Sequence, residues 1–242
     1  MFTPLKIALI GYGKMGQLIE QLAIEKGHTI VAKIHSKSND TEWAQLHTAD
    51  VAIEFTQPEA VLHNIKKCFS FKVPVVVGTT GWYNHLDEVL DWQKQANAGL
   101  LTASNFSIGV NVFFKINQIL ARMMDPIHGY EVSLQEIHHI HKKDAPSGTA
   151  ITLAEGILKS YKQKQQWKLK DASTESHDLS IEALRIDNVP GTHSVTYTSN
   201  IDSIEIKHTA HNRNGFALGA IQAAEWLKGK TGYYTMQDLI GL

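Results

Sequence analysis

The chain has 242 residues, 43% of them hydrophobic, which is enough for one large or two small domains with a well-buried core. Lys and Arg total 23 against 24 for Asp and Glu, so the net charge is -1, and no long run of one sign marks a nucleic-acid arm or a polybasic membrane patch. The single cysteine, Cys68, excludes an intramolecular disulfide and a thiolate metal cage, as expected in a reducing cytoplasm.

The sequence predicts no membrane segment. No window approaches 18 uninterrupted apolar residues, and the apolar stretch from Leu5 to Ile10 is too short for the core of a signal peptide. We therefore expect a soluble cytoplasmic protein.

The first hundred residues alternate short apolar runs with segments of helical period, which is typical of βαβ units and a parallel sheet. Strands are predicted at residues 6–10, 29–34, 51–54, 73–77 and 100–102. The helix after the first strand repeats apolar residues at intervals of three and four, and its predicted end is Gly27.

From about Ile108 the pattern changes, because strands begin to follow one another without helices between them. Helices are predicted at residues 108–124 and 149–164, a loop or frayed helix end at 162–180, and a final helix at 215–227 followed by a short tail. Strands are predicted at residues 130–137, 180–185, 193–198 and 203–210. Consecutive strands predict an antiparallel or mixed sheet, separate from the parallel one.

The first strand runs into a glycine turn, Gly11-Tyr12-Gly13-Lys14-Met15-Gly16, that opens a helix. In this setting Gly11 makes the turn, Gly13 lets the backbone approach a pyrophosphate, and Gly16 allows close helix-strand packing. The sequence therefore predicts dinucleotide binding. Two further loops follow predicted strands, Phe55-Thr56-Gln57-Pro58 and Gly78-Thr79-Thr80-Gly81; they are either part of the same crevice or ordinary turns.

Cofactor preference is predicted from the residues after the second strand, where NAD-binding folds usually carry Asp or Glu. Here the sequence reads His35-Ser36-Lys37, which offers donors and no carboxylate to repel a 2′-phosphate. We expect NADPH to be accepted at least as well as NADH. The alternative is that these residues form a solvated loop without a role in binding.

Three histidines, His138, His139 and His141, precede an Asp-Ala-Pro-Ser-Gly-Thr turn. Because successive residues of a strand point to opposite faces, His138 and His139 are poorly placed to share a metal ion, and no metal site is predicted. Histidine titrates near neutrality, so the segment is better suited to acid-base catalysis.

The turn at residues 146–149 precedes a helical pattern, with Ser147 or Thr149 as the predicted N-cap. The first-turn amides of this helix would be available to a carboxylate, and Lys142 or Lys143 would balance its charge. The alternative interpretation is a capped helix start flanked by surface histidines.

The residues from Glu136 to Thr149 resemble the signature of the 4-hydroxy-tetrahydrodipicolinate reductase family, also called dihydrodipicolinate reductase. The resemblance extends over essentially the whole chain, to Phe55-Thr56-x-Pro58, Gly78-Thr-Thr-Gly81, residues 104–111 and Arg213-x-x-Phe216-Ala-x-Gly219-Ala220. Two departures concern the cofactor: the glycine turn is one residue shorter than is common in the family, and His35 replaces its acidic residue.

The resemblance implies an α/β fold, with an N-terminal Rossmann-type parallel-sheet domain (residues 1–107) and a C-terminal α+β substrate domain with a mixed sheet (residues 108–214). The last helix would return to the first domain (residues 215–242), and the protein would be a homotetramer built through the second sheet. It implies NAD(P)H-dependent reduction of 4-hydroxy-tetrahydrodipicolinate, a small dicarboxylate, to tetrahydrodipicolinate in diaminopimelate and lysine biosynthesis. The hydride would add to the conjugated cyclic imine of the dehydrated substrate, dihydrodipicolinate.

The resemblance also assigns site residues. Those implied for the cofactor are Gly11, Tyr12, Gly13, Lys14, Met15, Gly16, Gly78, Thr79, Thr80, Ala103, Ser104, Asn105 and Phe106, in addition to His35, Ser36 and Lys37. Those implied for the substrate are His139, Lys142, Gly148 and Thr149, with His138 and Lys142 as the proton-transfer pair. The alternatives are another two-domain NAD(P)-dependent oxidoreductase acting on an amino acid or sugar, and a nucleotide-sensing regulator; the latter is disfavoured because no basic recognition helix is evident.

Overall fold

The structure is a computed structural model that describes residues 3–171 and 173–241. Residues 1, 2 and 242, at the outer limits of the predicted domains, and residue 172, in the predicted loop, lie outside the described residues. The chain divides into two compact units, one formed by the residues up to Ile108 together with those from Asn214 onward, the other by Gly109–Arg213. None of the helices in the described part of the chain has the length and apolar character needed to cross a bilayer.

The strands are β1 (Lys6–Ile10), β2 (Thr29–Ile34), β3 (Val51–Glu54), β4 (Val75–Val77), β5 (Gly99–Thr102), β6 (Glu131–His138), β7 (Gln166–Leu169), β8 (Asp178–Arg185), β9 (Gly191–Thr198), β10 (Ser203–Ala210) and β11 (Gly232–Thr235). The α-helices are α1 (Lys14–Glu25), α2 (Asp40–Ala44), α3 (Pro58–Ser70), α4 (Leu86–Ala96), α5 (Ile108–Met124), α6 (Gly148–Leu158), α7 (Asn214–Leu227) and α8 (Met236–Ile240).

The first unit contains a six-stranded parallel sheet in the order β11-β5-β4-β3-β1-β2. Apart from Lys6 at the start of β1, its inner strands are buried because apolar clusters cover both faces, one including α1 and α7 and the other including α3 and α4. The chain first adds β2 on one side of β1 and then β3 on the other, so the order reverses at β1. Such a switch point opens a ligand crevice at the carboxyl ends of the strands.

The second unit contains a five-stranded mixed sheet in the order β10-β9-β6-β8-β7. Strand β6 is antiparallel to β9 and parallel to β8, so it lies at the centre of the sheet. Residues of α5 and α6 pack with Leu134 and Val195 in a common apolar cluster. The Rossmann-type sheet, the second mixed sheet and the return of the last long helix to the first unit are therefore confirmed.

Two local predictions are wrong. The segment 162–180 is not simply a loop or frayed helix end, because β7 lies within it and pairs in parallel with β8, and α6 already ends at Leu158. The residues after α7 are not only a tail, because β11 pairs with β5 and α8 follows it. Both strands have only four residues, too few to produce a clear alternating pattern.

Candidate active site

The glycine turn after β1 leaves no room for side chains at two of its three glycines. Gly11 has φ +92°, and a Cβ atom there would lie 1.9 Å from the carbonyl oxygen of Phe55. A Cβ atom on Gly16 would lie 2.2 Å from the carbonyl oxygen of Gly11. Gly13 differs, because a Cβ atom there would meet nothing within 4 Å. The backbone at Gly13 is therefore open to a bound group.

The N-terminus of α1 is a ready anion site. Gly13 is the N-cap residue and supplies no side-chain cap, and the first turn has no acidic residue. The first amide to bond within the helix is that of Gln17, which donates to the Gly13 carbonyl at 3.0 Å. The preceding amides therefore have no partner inside the helix and, together with the helix dipole, favour a phosphate.

Two cavities of the first unit share Gly13, Phe55 and Thr56 in their walls, one of about 570 Å³ and one of about 330 Å³. Of the predicted cofactor residues, those lining the larger cavity are Gly11, Tyr12, Gly13, His35 and Ser36. Those lining the smaller one are Gly13, Lys14, Met15, Gly16, Gly78, Thr79 and Thr80. Lys37, Ala103, Ser104, Asn105 and Phe106 line neither cavity, although Lys37 directly follows Ser36 and the other four directly follow β5.

The loops after β3 and β4 are tied together around a buried carboxylate. Glu54 accepts hydrogen bonds from Thr56 and, at 3.1 Å, from Asn64, and the Thr56 amide donates to the Thr79 hydroxyl at 2.7 Å. Burial raises the pKa of Glu54, although these hydrogen bonds oppose the shift. The larger cavity is also lined by Thr56, Asn64 and Trp43. Thr56 belongs to a loop that the sequence indicates as a possible part of the crevice, whereas no local pattern marks Asn64 or Trp43.

Among the described residues that line the larger cavity there is no carboxylate. Glu20 is engaged elsewhere, since its carboxylate lies 2.6 Å from the Lys33 ammonium and accepts a hydrogen bond from Tyr12. His35 and Ser38 close a tight turn, in which the Ser38 amide donates to the His35 carbonyl at 2.9 Å.

In the second unit, strand register gathers charged side chains that are far apart in sequence. Glu136 and His138 are two residues apart on β6 and so point to the same face. His193 on β9 lies opposite Glu136, and Arg185 on β8 lies opposite His138. We call Glu136, His138, Arg185 and His193 the Glu136 cluster.

Glu136 is the centre of this cluster and is fully buried. The Ser147 amide donates to both of its carboxylate oxygens, at 3.1 and 3.0 Å, and the Arg185 guanidinium lies 3.3 Å from one of them. Burial alone would raise the pKa of Glu136, but the His193 imidazole, 3.7 Å away, and hydrogen bonds from Ser147 outweigh burial and lower the pKa to about 2. Glu136 is therefore ionised at neutral pH.

His138 is the histidine of the signature that the fold buries, with 9% of its side chain exposed. Its Nδ1 atom lies 3.5 Å from a Glu136 oxygen and has no hydrogen-bond partner among the described residues, and its ring packs edge-on against His193 at 5.0 Å. Burial, aided by the positive charges of Lys142 and Arg185, lowers the pKa of His138 to about 4 despite the attraction of Glu136. The imidazole is therefore neutral at pH 7.

The start of α6 presents free amides next to this cluster. Ser147 is the N-cap, as one of the two predictions had it, and its hydroxyl accepts from the Ala150 amide at 3.2 Å and contacts His193 Nε2 at 3.2 Å. The Ile151 amide makes the first bond within the helix. The amides of Gly148 and Thr149 have no partner within the helix, and a Cβ atom on Gly148 would meet nothing within 4 Å.

The loop between β6 and α6 holds the remaining predicted residues. The Lys142 ammonium is bound by both oxygens of Asp144, at 2.8 and 2.9 Å, and Arg185 donates to the carbonyls of Lys142 and Asp144. His139 lies outside the Glu136 cluster, with its ring 6.3 Å from that of His141. The separation of His138 and His139 thus agrees with strand alternation, although the alternative of surface histidines does not describe His138.

Glu136, His138 and His193 bring one carboxylate and two imidazoles within 4.8 Å of one another. This spacing is compatible with a divalent cation, but both Glu136 oxygens already accept from the Ser147 amide, and the Arg185 guanidinium lies against one of them. A cation here would have to displace Arg185. The set is better explained as a hydrogen-bonded network around a carboxylate.

Glu136, Arg185 and His193 were not recognised from sequence as parts of the site. Glu136 lies inside the signature and at the spacing of two residues from His138 that puts both on one strand face, so a signal existed for it. Arg185 and His193 reach the site only through the pairing of β8 and β9 with β6, which no local pattern reveals.

Family models match both parts of the chain. The one described as dihydrodipicolinate reductase, N-terminus, matches residues 5–106, and the one described as dihydrodipicolinate reductase, C-terminus, matches residues 109–240. The 4-hydroxy-tetrahydrodipicolinate reductase of Christiangramia forsetii is 49% identical over 238 residues, which cover 98% of this chain and 98% of the relative. That of Neisseria meningitidis serogroup B is 34% identical over 272 residues, covering 99% and 98%.

A solved structure with the same fold is the dipicolinate-bound dihydrodipicolinate reductase from Paenisporosarcina sp. TG-14. It has a TM-score of 0.80 and 22% sequence identity, and the match covers 96% of this chain and 98% of the other. The resemblance seen in the sequence is confirmed by the two family models and the curated relatives. The chain belongs to the dihydrodipicolinate reductase family.

Proposed function

We propose that this chain catalyses the NAD(P)H-dependent reduction of 4-hydroxy-tetrahydrodipicolinate to tetrahydrodipicolinate in diaminopimelate and lysine biosynthesis. The substrate first loses its 4-hydroxyl group as water to give dihydrodipicolinate, and this conjugated imine accepts the hydride. The observation that carries the proposal is the buried imidazole of His138 near the start of α6, where the amides of Gly148 and Thr149 have no partner within the helix. The chain also belongs to the reductase family and has a glycine turn suited to a dinucleotide. A proton donor and a carboxylate site are what reduction of a dicarboxylic imine requires.

The first unit is the proposed dinucleotide-binding domain (residues 1–107 with 215–242). The uncapped N-terminus of α1 suits the pyrophosphate, with Gly13 as the point of closest approach. His35, Ser36 and Lys37 would face the adenosine ribose. The loops at residues 78–80 and 103–106 would hold the nicotinamide, which supplies the hydride when the cofactor is bound.

The second unit is the proposed substrate domain (residues 108–214). The amides of Gly148 and Thr149 would bind one substrate carboxylate, because they lie at the positive end of the α6 dipole. Lys142 and His139 would contact the substrate from the loop after β6. For Lys142 this means exchanging the Asp144 carboxylate for that of the substrate, which keeps the ammonium paired.

His138 is the proposed general acid, with Lys142 as its partner in proton transfer. Hydride addition to the conjugated imine of the dehydrated substrate would leave negative charge on the ring, and a protonated His138 would neutralise it by giving up its proton. General acid catalysis of this kind is worth on the order of 10² to 10⁴ in rate. A bound dianion raises the pKa of a neighbouring imidazole, because it stabilises the charged form. The low pKa of His138 in the free protein would therefore rise when substrate binds.

The proposal is tested by an assay in which the substrate is generated enzymatically and its reduction followed with NADH and NADPH in parallel. We expect turnover with one or both cofactors and competitive inhibition by pyridine-2,6-dicarboxylate, a planar dicarboxylate. No oxidation of either cofactor would reject the activity. Turnover that is insensitive to the dicarboxylate would indicate a different oxidoreductase.

We further propose that the protein is a cytoplasmic homotetramer assembled through the polar face of the second sheet. This face carries a depression of about 200 Å³ lined by residues such as Ser133, Gln135, Glu182 and Thr196. Hydroxyl, amide and carboxylate groups at this density can form hydrogen bonds with the same face of another subunit. Light scattering should give four times the 27.0 kDa chain mass; a monomer would contradict the proposal.

A further inference from the structure

Among the described residues, Glu136 is a fully buried carboxylate to which the proposed mechanism gives no task. A buried carboxylate loses hydration, so it persists only where charges and donors compensate it. Its partners come from three directions: the Ser147 amide at the start of α6, Arg185 on β8 and His193 on β9. Its fourth neighbour is His138, on its own strand, at 3.5 Å.

We propose that Glu136 is a positioning residue of the reductase, which fixes the anion-binding start of α6 to strand β6 and supplies the negative charge that stabilises the protonated form of His138. This inference rests on the proposed function for its kinetic consequences. Glu136 would thus have two separable tasks: the reach task is to bind the Ser147 amide, and the charge task is to stabilise the protonated form of His138.

The first task follows from the bonds between Glu136 and Ser147. Both carboxylate oxygens accept from the Ser147 amide, and this residue immediately precedes Gly148 and Thr149, whose amides would bind the substrate. His138 is two residues along the strand from Glu136. Glu136 therefore links the proton donor directly to the carboxylate site, in addition to the contact of the Ser147 hydroxyl with His193. A carboxylate that only neutralised Arg185 would not need the Ser147 amide.

The second task follows from the charges around His138. Arg185 on β8, His193 on β9 and Lys142 in the following loop all disfavour the protonated imidazole, as burial does, and Glu136 is the group that favours it. Removing the Glu136 charge would leave the positive charges of Lys142 and Arg185 acting on His138 without an opposing negative charge. Its pKa would then fall below the value of about 4 that it has with Glu136 in place.

Two substitutions separate the tasks. Glu136→Gln keeps the length and an oxygen that can accept from the Ser147 amide but removes the charge. Glu136→Asp keeps the charge but is one methylene shorter, so it loses the reach to Ser147. The control is Glu131→Gln, the same change at the other end of β6, where the side chain is 71% exposed and pairs with Lys164.

The charge task is tested in the free protein by measuring the protonation of His138. The imidazole signals are followed in histidine-labelled NMR spectra as the pH is lowered, and the His138→Gln variant assigns the His138 signal. In the wild type and in Glu131→Gln the ring should begin to protonate as the pH approaches 4. In Glu136→Gln it should remain neutral over the same range. An unchanged titration in a folded Glu136→Gln protein overturns the charge task, whether or not the chain proves to be a reductase.

The kinetic consequences are measured in the reductase assay. Glu136→Gln should lower kcat at least tenfold near pH 7.5 with KM changed less than threefold, because a pKa lower by one unit reduces the protonated fraction about tenfold. Glu136→Asp should raise KM for the dicarboxylate about tenfold and leave kcat closer to the wild type. If Glu136→Gln does not fold, Glu136→Asp decides, since an unchanged KM would overturn the reach task. An inactive wild type would refute the proposed function, while the NMR titration would still test Glu136.

Discussion

The glycine turn of the first unit consists of backbone groups, whereas the Glu136 cluster of the second consists of side chains. The glycine turn exposes backbone amides, so three glycines within six residues are sufficient to define it. The Glu136 cluster consists of side chains from three strands, and its properties depend on charges that no single segment carries. Backbone sites of this kind are properties of a short segment, whereas side-chain networks are properties of the tertiary fold.

The largest effect is expected from His138→Gln, which removes the proposed acid from the side-chain site. Turnover should fall on the order of 10²- to 10⁴-fold, with a much smaller change in KM, because a general acid acts in the transition state. Steady-state kinetics with saturating cofactor measure both values. His141→Gln is the control, since His141 is exposed in the same segment and should keep normal turnover. Full turnover in His138→Gln would show that the proton comes from elsewhere.

The backbone site is tested by the pair Gly11→Ala and Gly13→Ala. Gly11→Ala places a Cβ atom against the Phe55 carbonyl at a positive φ, so we expect a loss of stability of roughly 1 to 3 kcal/mol and a lower Tm. Gly13→Ala meets no protein atom and should keep the Tm. It should still weaken cofactor binding about tenfold, because the added methyl group occupies the space of the phosphate. Unchanged binding in Gly13→Ala would contradict a pyrophosphate at this turn.

The Glu136 cluster should make the free energy of unfolding depend on pH, because Glu136 and His138 both have lowered pKa values. A group whose pKa is lower in the folded than in the unfolded protein stabilises the fold above its unfolded pKa. That contribution is lost as the pH falls towards the folded value. For His138 the window runs from about 6.5 down to about 4, and for Glu136 from about 4.5 down to about 2.

Urea unfolding at pH 7 and pH 5 measures the His138 contribution. The wild type should lose on the order of 1 to 2 kcal/mol more than His138→Gln between these two pH values. Equal losses in the two proteins would mean that His138 is not held neutral by its surroundings.

The smallest effect is expected at the cofactor ribose. Lys37→Ala should raise KM for NADPH a few-fold and leave KM for NADH unchanged, because an exposed lysine contributes roughly 1 kcal/mol or less to an ionic contact. Lys72→Ala, in the turn after α3, is the exposed control. A strong preference of the wild type for NADH would show that the segment after β2 does not bind a 2′-phosphate.

Most of the first unit could be predicted from the sequence because its strands are buried on both faces and its helices carry one apolar stripe. The mixed sheet could be predicted as a class from consecutive strands. Its register could not, and the positions of Arg185 and His193 depend on that register. The lowered pKa of His138 could not be predicted either, because it depends on burial and on neighbouring charges that only the folded structure defines. The four-residue strands β7 and β11 are held by their neighbours in the sheet rather than by their own pattern.

The return of α7 and β11 to the first sheet has a consequence for the order in which the units form during synthesis. All residues of the second unit lie between Gly109 and Arg213, so they leave the ribosome before the segment that completes the first. Until then the apolar cluster that α7 will cover lacks four alanines that are fully buried in the finished fold, Ala217, Ala220, Ala223 and Ala224, and the edge of β5 lacks its neighbour. The unit translated second is thus the first to have its whole sequence available for folding.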